Sequence, residues 1–306
     1  MKATQINSYG GNEVVKIIEV GIPIPSEDEV LVRTQTAGIN PVDWKIRNGM
    51  GKRLGLELLI MLGGEIAGTI EAIGKAVVDF KKGDEVFGMV KTGAFAEFVL
   101  AKATDIALKP HHLDFKEAAA IPLCGLTAWQ AIYDLAQLEN GQRILITGAS
   151  GAVGSLAVQL AKARGAYVIG TASGKNETFV TGLGADEFIN YEEQAFEKIV
   201  KGVDVVFDTV GGETFEKSYL VLKSGGNLVT SVAFPSDEQA VKYGIKAVRV
   251  FCKPNAEELI QISELIKAGT LRARVSKVFP LEKVTDALTL SESGNANGKV
   301  ILQIGN

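Results

Sequence analysis

The chain has 306 residues, of which 46% are hydrophobic and 22% are charged, and its formal net charge is −4. It has ample apolar material for two domains or one large α/β domain, and its acidic balance excludes nucleic acid and anionic membranes as expected partners. The two cysteines, Cys124 and Cys252, are typical of a reducing compartment and cannot form a metal cage by themselves.

The first part of the chain shows the alternation of half-buried strands. Residues 14–20 and 29–36 alternate between apolar and polar side chains, and glycines then punctuate short apolar runs. This pattern predicts a small, strongly bent β structure up to about residue 118. Residues 1–11 contain no apolar leader, and the most apolar stretch, residues 54–64, is too short to span a bilayer, so we expect a cytoplasmic protein.

Beyond residue 116, strand-like and helical segments alternate. Strands are predicted over residues 144–147, 167–171, 187–190, 203–208 and 227–231, and helices over residues 127–138, 192–200, 214–222 and 257–267. This rhythm predicts βαβ units and a doubly wound parallel sheet. We therefore predict a Rossmann cofactor-binding domain over residues 121–254, inserted into a mostly β catalytic domain formed by residues 1–120 and 255–306.

A glycine cluster stands between the strand at residues 144–147 and the helical pattern that follows it. Gly148, Gly151 and Gly154 lie in the strand–turn–helix context in which glycines indicate dinucleotide binding, although Ala149 replaces the first glycine of the usual G-x-G-x-x-G. Taken alone, the motif also fits a glycine-rich turn of another α/β protein. In the dinucleotide interpretation, the turn and the helix N-terminus hold the pyrophosphate, through Ser150, Gly151, Ala152 and Val153.

Seven further segments, taken with the glycine loop, resemble one family along essentially the whole chain. They read GINPVDWKIRNG from residue 38, GGEIAGTIEAIG from 63, GDEVFG from 83, GAFAEFV from 93, AAAIPLCGLTAWQA from 118, FDTVGG from 207 and GKVIL from 298. In this order they resemble the medium-chain dehydrogenase/reductases, and in particular the zinc-independent quinone oxidoreductases and alkenal or enone reductases. The resemblance implies a GroES-like β domain combined with a Rossmann domain, commonly in a homodimer.

The zinc-containing alcohol dehydrogenases of that family differ from this chain at the metal ligands. They carry Cys where Asn40 stands and His where Gly64 stands, and their third ligand aligns with Leu123. A catalytic zinc needs about three nitrogen or sulfur ligands and an open position, so we predict no metal. The two histidines, His111 and His112, are interpreted as solvated surface residues.

The cofactor preference is read from the segment about 20 residues after the glycine loop, where an NAD site carries a carboxylate for the ribose 2′-hydroxyl. Residues 171–176 contain no carboxylate and offer Ser173, Lys175 and Asn176, whose polar groups suit a 2′-phosphate. By resemblance, Tyr191 also lies against that phosphate. We therefore predict NADPH as the cofactor. The alternative is that this segment is only a capped helix start.

The resemblance implies further cofactor contacts. Thr127 matches a nicotinamide-contacting threonine, for which the alternative role is a helix N-cap. Val210 would lie on the adenosine side, after the fourth Rossmann strand. The end of the fifth strand and the C-terminal segment would complete the contacts with Ser231, Val232, Ala233, Gly298 and Lys299.

Without a metal, the acceptor must itself spread the charge that arrives with a hydride, as quinones and α,β-unsaturated carbonyls do. By resemblance, Asn40 and Asp43 hold the nicotinamide or substrate end of the site, and Lys45 meets the charge developing on the acceptor oxygen. The alternative is that Asp43 and Lys45 pair within a turn and only support the loop. The predicted function is NADPH-dependent reduction of a small quinone or enone, and the alternative function is a non-catalytic NADPH-binding protein of the zeta-crystallin type.

Overall fold

The computed structural model describes residues 1–305, which form two compact units. Unit 1 comprises Met1–Leu123, Pro254–Lys267 and the chain from Ala273 onward. Unit 2 comprises Cys124–Lys253 and Ala268–Arg272. None of the helices within the described residues is both long and apolar enough to cross a membrane.

The secondary structure alternates between strands and short helices. The strands within residues 1–305 are β1 (Lys2–Ile6), β2 (Val15–Glu19), β3 (Glu29–Ile39), β4 (Ile60–Met61), β5 (Glu65–Ile73), β6 (Glu85–Met89), β7 (Phe98–Lys102), β8 (Ile106–Leu108), β9 (Arg143–Thr147), β10 (Tyr167–Ala172), β11 (Glu187–Asn190), β12 (Val203–Asp208), β13 (Leu222–Thr230), β14 (Lys246–Arg249), β15 (Val275–Pro280) and β16 (Lys299–Gln303).

The helices within the same residues are α1 (Pro41–Lys45), α2 (Gly51–Arg53), α3 (Phe115–Ala119), α4 (Pro122–Trp129), α5 (Ala152–Ala163), α6 (Glu177–Gly182), α7 (Phe196–Ile199), α8 (Gly212–Ser218), α9 (Asp237–Tyr243), α10 (Ala256–Lys267) and α11 (Val284–Glu292). Short 3₁₀ segments cover Asn12–Val14, Ala103–Asp105, Gly174–Asn176 and Leu281–Lys283, and π-helical turns cover Ile46–Met50 and Gln130–Leu135.

Unit 1 is built on a seven-stranded sheet in the order β15–β16–β3–β5–β6–β8, with β7 also paired to β3. Its pairs are antiparallel except for β15 and β16, which run parallel. A three-stranded sheet in the order β2–β1–β4 completes the unit. Val30, Ile66, Phe95 and Leu302 are fully buried, and removal of such apolar surface from water drives the packing. This β-rich unit is the GroES-like domain expected from the sequence.

Unit 2 is organised around a six-stranded sheet in the order β11–β10–β9–β12–β13–β14, in which all neighbouring strands are parallel. Strands covered on both faces by crossover helices have nearly continuous apolar runs, and Ile144, Ile169, Val206 and Leu228 are fully buried. The strand order reverses between β9 and β12, and such a switch point is where doubly wound sheets bind ligands. The predicted Rossmann architecture is confirmed.

One predicted helix is mostly replaced by a turn. The prediction covered residues 192–200, whereas α7 covers only Phe196–Ile199. The side-chain oxygen of Asn190 accepts the Glu192 N–H at 3.2 Å, and the Asn190 carbonyl accepts the Gln194 N–H at 2.9 Å. The bond to the side chain is an Asx turn, which competes with helix formation, and the helix therefore starts later than the apolar spacing indicates.

The helix predicted over residues 214–222 also ends early. It stops at Ser218, and Leu222 instead pairs with Val203 at the start of β13. Val221 is fully buried beside this pair. The apolar residues that suggested a longer helix therefore serve the sheet, and tertiary packing overrides the local pattern.

Candidate functional site

The carboxyl edge of the parallel sheet gathers most of the predicted cofactor residues. Ligands of doubly wound sheets bind at this edge, because the connecting loops and the helix N-termini open there. Ser150, Gly151, Ala152 and Val153 follow β9; Ser173, Lys175 and Asn176 follow β10; Tyr191 follows β11; Val210 follows β12; and Ser231, Val232 and Ala233 follow β13.

The turn between β9 and α5 has the shape that a pyrophosphate requires. Gly148 adopts a φ of +69°, which favours glycine, and the Gly151 N–H donates to its carbonyl at 2.9 Å. A Cβ atom on Gly154 would collide with the carbonyl oxygen of Gly148. The first N–H groups of α5, beginning at Ala152, have no carbonyl partners within the helix. This turn therefore fits the diphosphate of a dinucleotide.

Asp208 holds the edge of the sheet together at the switch point. Its fully buried carboxylate accepts the hydroxyls of Thr147 and Thr230, each at 2.8 Å. The same carboxylate accepts the N–H groups of Val210 and Gly211, each at 3.1 Å. These bonds join the ends of β9, β12 and β13 and fix the loop that carries Val210. The sequence pattern indicates that residues of this loop lie at the site, whereas this role of Asp208 emerges only from the fold.

The segment after β10 forms a small polar cradle. Ser173 and Asn176 are buried, and the Asn176 amide donates to the Ser173 hydroxyl at 2.9 Å. Ser173 and Asn176 stand at the N-cap positions of the 3₁₀ segment and of α6, but neither side chain makes a capping hydrogen bond. Lys175 is exposed, and the Glu192 carboxylate accepts the Gly174 N–H at 3.3 Å.

Thr127 lies within α4 rather than at its start, because the helix begins at Pro122. The alternative role of Thr127 as an N-cap is therefore wrong, and its role as a nicotinamide contact stays a prediction. The helix was expected over residues 127–138. Its observed continuation beyond Trp129 is π-helical and reaches Leu135.

The predicted catalytic residues of unit 1 lie at the start of α1 and within it. Pro41 occupies the first helical position, where a missing N–H costs nothing. The Asp43 carboxylate accepts the backbone N–H of Asn40 at 2.7 Å and thereby fixes the entrance of the helix. Lys45 is half-buried, with its ammonium 5.3 Å from the centre of the Trp44 ring. The segment is therefore a helix rather than a turn, and the roles of Asp43 and Lys45 stay predictions.

Asn40 is part of a buried polar cluster that also contains Glu65 and Lys299. The Asn40 amide donates to Glu65 Oε1 at 2.6 Å, and Lys299 Nζ donates to Asn40 Oδ1 at 2.5 Å. Lys299 also forms an ion pair with Glu65. All three residues are at most 2% exposed. The predicted cofactor contact of Lys299 stays a prediction, and its ammonium is held inside unit 1.

Glu65 belongs to this cluster although its sequence motif does not point to it. Its Oε2 accepts the N–H of Leu123 at 2.8 Å, so the carboxylate serves three partners. A usable signal was present, because Glu65 is the charged residue at the start of β5, whose next five positions are mostly apolar and buried. A carboxylate in that position has to be paired inside the fold.

The buried environment changes the acidity of Asp43. Removal from water raises the pKa of its carboxyl to about 7, although the N–H group of Asn40 favours the charged form. The negative charge of Glu65 raises the pKa of Asp43 further, and the positive charge of Lys299 lowers it. The group is therefore poised to change its charge near neutral pH.

Comparison with known proteins finds relatives that match almost the whole chain. Residues 26–111 match the family described as the alcohol dehydrogenase GroES-like domain, and residues 183–302 match the zinc-binding dehydrogenase family. The NAD(P)H oxidoreductase RTN4IP1, mitochondrial, of Danio rerio is 33% identical over 353 residues, covering 99% of this chain and 91% of that protein. The quinone oxidoreductase of Homo sapiens is 34% identical over 322 residues, covering 99% and 97% respectively.

A solved structure is also similar. The crystal structure of Escherichia coli quinone oxidoreductase complexed with NADPH has a TM-score of 0.90 and 28% identity, and the match covers 99% of this chain and 100% of that one. A GroES-like unit, a Rossmann sheet and a glycine turn that fits a diphosphate together define an oxidoreductase that uses a nicotinamide cofactor. The chain belongs to the medium-chain dehydrogenase/reductase superfamily, in its quinone oxidoreductase branch.

We expect the Asp43→Asn variant to differ from the parent in the pH dependence of unfolding. A carboxyl with a raised folded pKa stabilises the fold most below its unfolded pKa of about 3.9, and this contribution is lost as the pH rises through the folded pKa of about 7. The unfolding free energy of the parent relative to the variant should fall by up to about 1.4 kcal/mol per pH unit in this window. Calorimetry of both proteins at intervals of half a pH unit measures this difference in unfolding free energy. A difference that does not change with pH would contradict the raised pKa of Asp43.

Proposed function

We propose that this chain is a zinc-independent, NADPH-dependent oxidoreductase that transfers hydride to quinones or α,β-unsaturated carbonyls. The observation that carries the proposal is the buried cluster at Asn40, where the ammonium of Lys299 lies against Glu65. We further propose that residues 1–120 and 255–306 act as the catalytic domain and that residues 121–254 bind the cofactor.

The chemistry of that cluster supports a reaction without zinc. A catalytic zinc needs about three nitrogen, sulfur or carboxylate ligands, and this position offers the amide of Asn40 and one carboxylate, which Lys299 already neutralises. Within residues 1–305, no group of three His, Cys, Asp or Glu side chains could hold a metal ion. The donor set does not fit a catalytic zinc, and no step of the proposed reaction uses one.

The acceptor class follows from what the protein can supply. When bound, the reduced nicotinamide supplies a hydride. The residues of the chain must then stabilise the negative charge that arrives on the acceptor oxygen, and Lys45 on α1 is the cation proposed for this task. A single half-buried ammonium stabilises less charge than a metal ion. Acceptors that delocalise the added electron pair, such as quinones and enones, are therefore favoured over simple ketones.

The cradle after β10 supports NADPH as the cofactor. Ser173 and Asn176 carry polar side chains in the same segment as the exposed Lys175, and none of residues 171–176 carries a carboxylate. Lys supplies a point charge for a phosphate. The Glu192 carboxylate, which accepts the Gly174 N–H, would have to move away for a 2′-phosphate to bind beside it, because the two anions repel one another. The similar Escherichia coli enzyme whose structure contains NADPH also supports this preference.

The proposed function is tested with purified protein, NADPH and a panel of 9,10-phenanthrenequinone and alkenals, by the loss of absorbance at about 340 nm. We expect turnover by the parent, and a kcat/KM about ten- to a thousandfold lower for the Lys45→Ala variant, because a charge-stabilising group is lost. The matched control is Lys52→Ala, which removes an exposed lysine of α2 and should leave turnover unchanged.

Two outcomes of this assay would count against the proposal. Binding of NADPH without turnover of any acceptor would favour the non-catalytic NADPH-binding alternative. Unchanged turnover by the Lys45→Ala variant would leave the reaction class intact but remove Lys45 from its catalytic role.

The cofactor preference is tested with the Lys175→Ala variant. We expect its KM for NADPH to rise by about tenfold or more, because a charge-assisted contact with the 2′-phosphate is lost, while its KM for NADH changes little. Initial rates with both cofactors measure the two constants. Lys198→Ala, which removes an exposed lysine of α7, is the matched control. Equal use of NADH and NADPH by the parent would overturn the preference.

We also propose that two copies pair through β14. This strand is the edge of the parallel sheet, and within residues 1–305 it pairs only with β13. An uncovered edge offers unpaired N–H and C=O groups to a second strand, and Val248 and Phe251 expose apolar surface beside it.

Light scattering after size-exclusion chromatography tests this pairing. The parent should have twice the chain mass of 32.5 kDa, and Val248→Asp should shift it to the monomer by placing a charge in the contact. Val278→Asp is the matched control, since Val278 is equally exposed, at 39% against 38%, on β15 of unit 1. A monomeric parent would refute the pairing.

A further inference from the structure

We propose that Glu65 and Lys299 are positioning residues, whose buried ion pair orients the carboxamide of Asn40 and sets the electrostatic environment of Asp43. The inference rests on the proposed function, in which Asn40 and Asp43 hold the nicotinamide or substrate end of the site. Neither Glu65 nor Lys299 is required to touch the reacting groups.

The first step concerns the orientation of the amide. An ammonium only donates hydrogen bonds and a carboxylate only accepts them. Asn40 turns its oxygen to Lys299 and its nitrogen to Glu65, at 2.5 and 2.6 Å. A flipped amide would place its nitrogen on the ammonium and its oxygen on the carboxylate. The ion pair therefore allows one orientation of Asn40.

The second step concerns the segments that meet at Glu65. The carboxylate lies at the start of β5, Lys299 lies at the start of β16, and Asn40 directly precedes α1. The other oxygen of Glu65 accepts the N–H of Leu123 in the first turn of α4, the helix that carries Thr127. A carboxylate at a helix N-terminus is electrostatically favourable. One buried group thus fixes two strands and the starts of two helices.

The third step concerns charge. The Asp43 carboxylate accepts the backbone N–H of Asn40 at 2.7 Å, and the side chain of Asn40 bonds both Glu65 on β5 and Lys299 on β16, so the two charges lie close to Asp43. The backbone N–H of Gly63 also favours its charged form. The two charged groups act on Asp43 with opposite sign. Neutralising Glu65 should lower the pKa of Asp43, and neutralising Lys299 should raise it. The titration of Asp43 therefore reports the two charges separately from any general loss of stability.

The experiment uses the full chain with Glu65→Gln, Lys299→Met and the double variant. Each single variant should lower kcat with a quinone by about ten- to a hundredfold, as expected when a supporting contact of a site residue is lost. The KM for NADPH should change less than kcat. The kcat of the double variant should fall by a smaller factor than the product of the factors found for the two single variants. The reason is that removing both charges leaves no uncompensated buried charge.

A second readout follows the titration of Asp43 without relying on turnover. Each background is compared with its own Asp43→Asn derivative across the pH range by calorimetry. The difference in unfolding free energy between each background and its derivative becomes constant above the folded pKa of Asp43. The pH at which it becomes constant should move down with Glu65→Gln and up with Lys299→Met. Because this measurement needs no substrate, it tests the pair even if the parent reduces none of the acceptors and the proposed function fails.

The matched control is Lys109→Met. Lys109 is also a buried lysine of unit 1, paired with Glu85 at 3.0 Å and bonded to the Leu113 carbonyl at 2.6 Å. Its removal should lower Tm without changing kcat or the titration of Asp43.

If a single variant does not fold, the double variant still shows whether the ion pair positions the site or only stabilises the fold. A double variant with full kcat and an unchanged titration of Asp43 would overturn the proposal. So would folded single variants that retain full kcat, or that shift the titration of Asp43 in the same direction.

Discussion

A carboxylate that is removed from water must be given partners by the protein, and this requirement organises both units. Glu65 in unit 1 and Asp208 in unit 2 are completely buried. The first is neutralised by an ammonium and by N–H donors, and the second is satisfied by two hydroxyls and two N–H groups. Such a group is stable only when every partner is in place. Each carboxylate therefore enforces the arrangement of several chain segments around it.

The two carboxylates lie where the predicted functional residues are attached to the fold. Asp208 ties the ends of three parallel strands at the switch point, from which the cofactor loops leave the sheet. Glu65 ties the entrance of α1, which carries Asp43 and Lys45, to two other segments. A fixed site needs supporting residues whose own geometry is locked. Both supports are rigid because neither carboxylate could be exposed by a small movement without losing its partners.

What the sequence could reveal depended on how local the determining interaction was. The glycine turn and the alternation of strands and helices are encoded by neighbouring residues, so the Rossmann sheet and its carboxyl edge could be predicted. The cluster at Asn40 could not, because Lys299 and Asn40 are separated by 259 positions and meet only through the pairing of β16 with β3. The helix predicted over residues 192–200 failed for the opposite reason, since one asparagine, Asn190, offered the backbone a local alternative.

The late position of β16 in the chain has a consequence for biosynthesis. A ribosome adding about 5 to 20 residues per second needs roughly 13 to 52 s to reach Lys299 after it has made Asn40. Throughout that interval the lysine that neutralises Glu65 in the fold has not been made, and burying the charged carboxylate without it is costly. Unit 2 is by then fully translated. The counter-ion of Glu65 is therefore among the last residues of unit 1 to be synthesised, after all of unit 2.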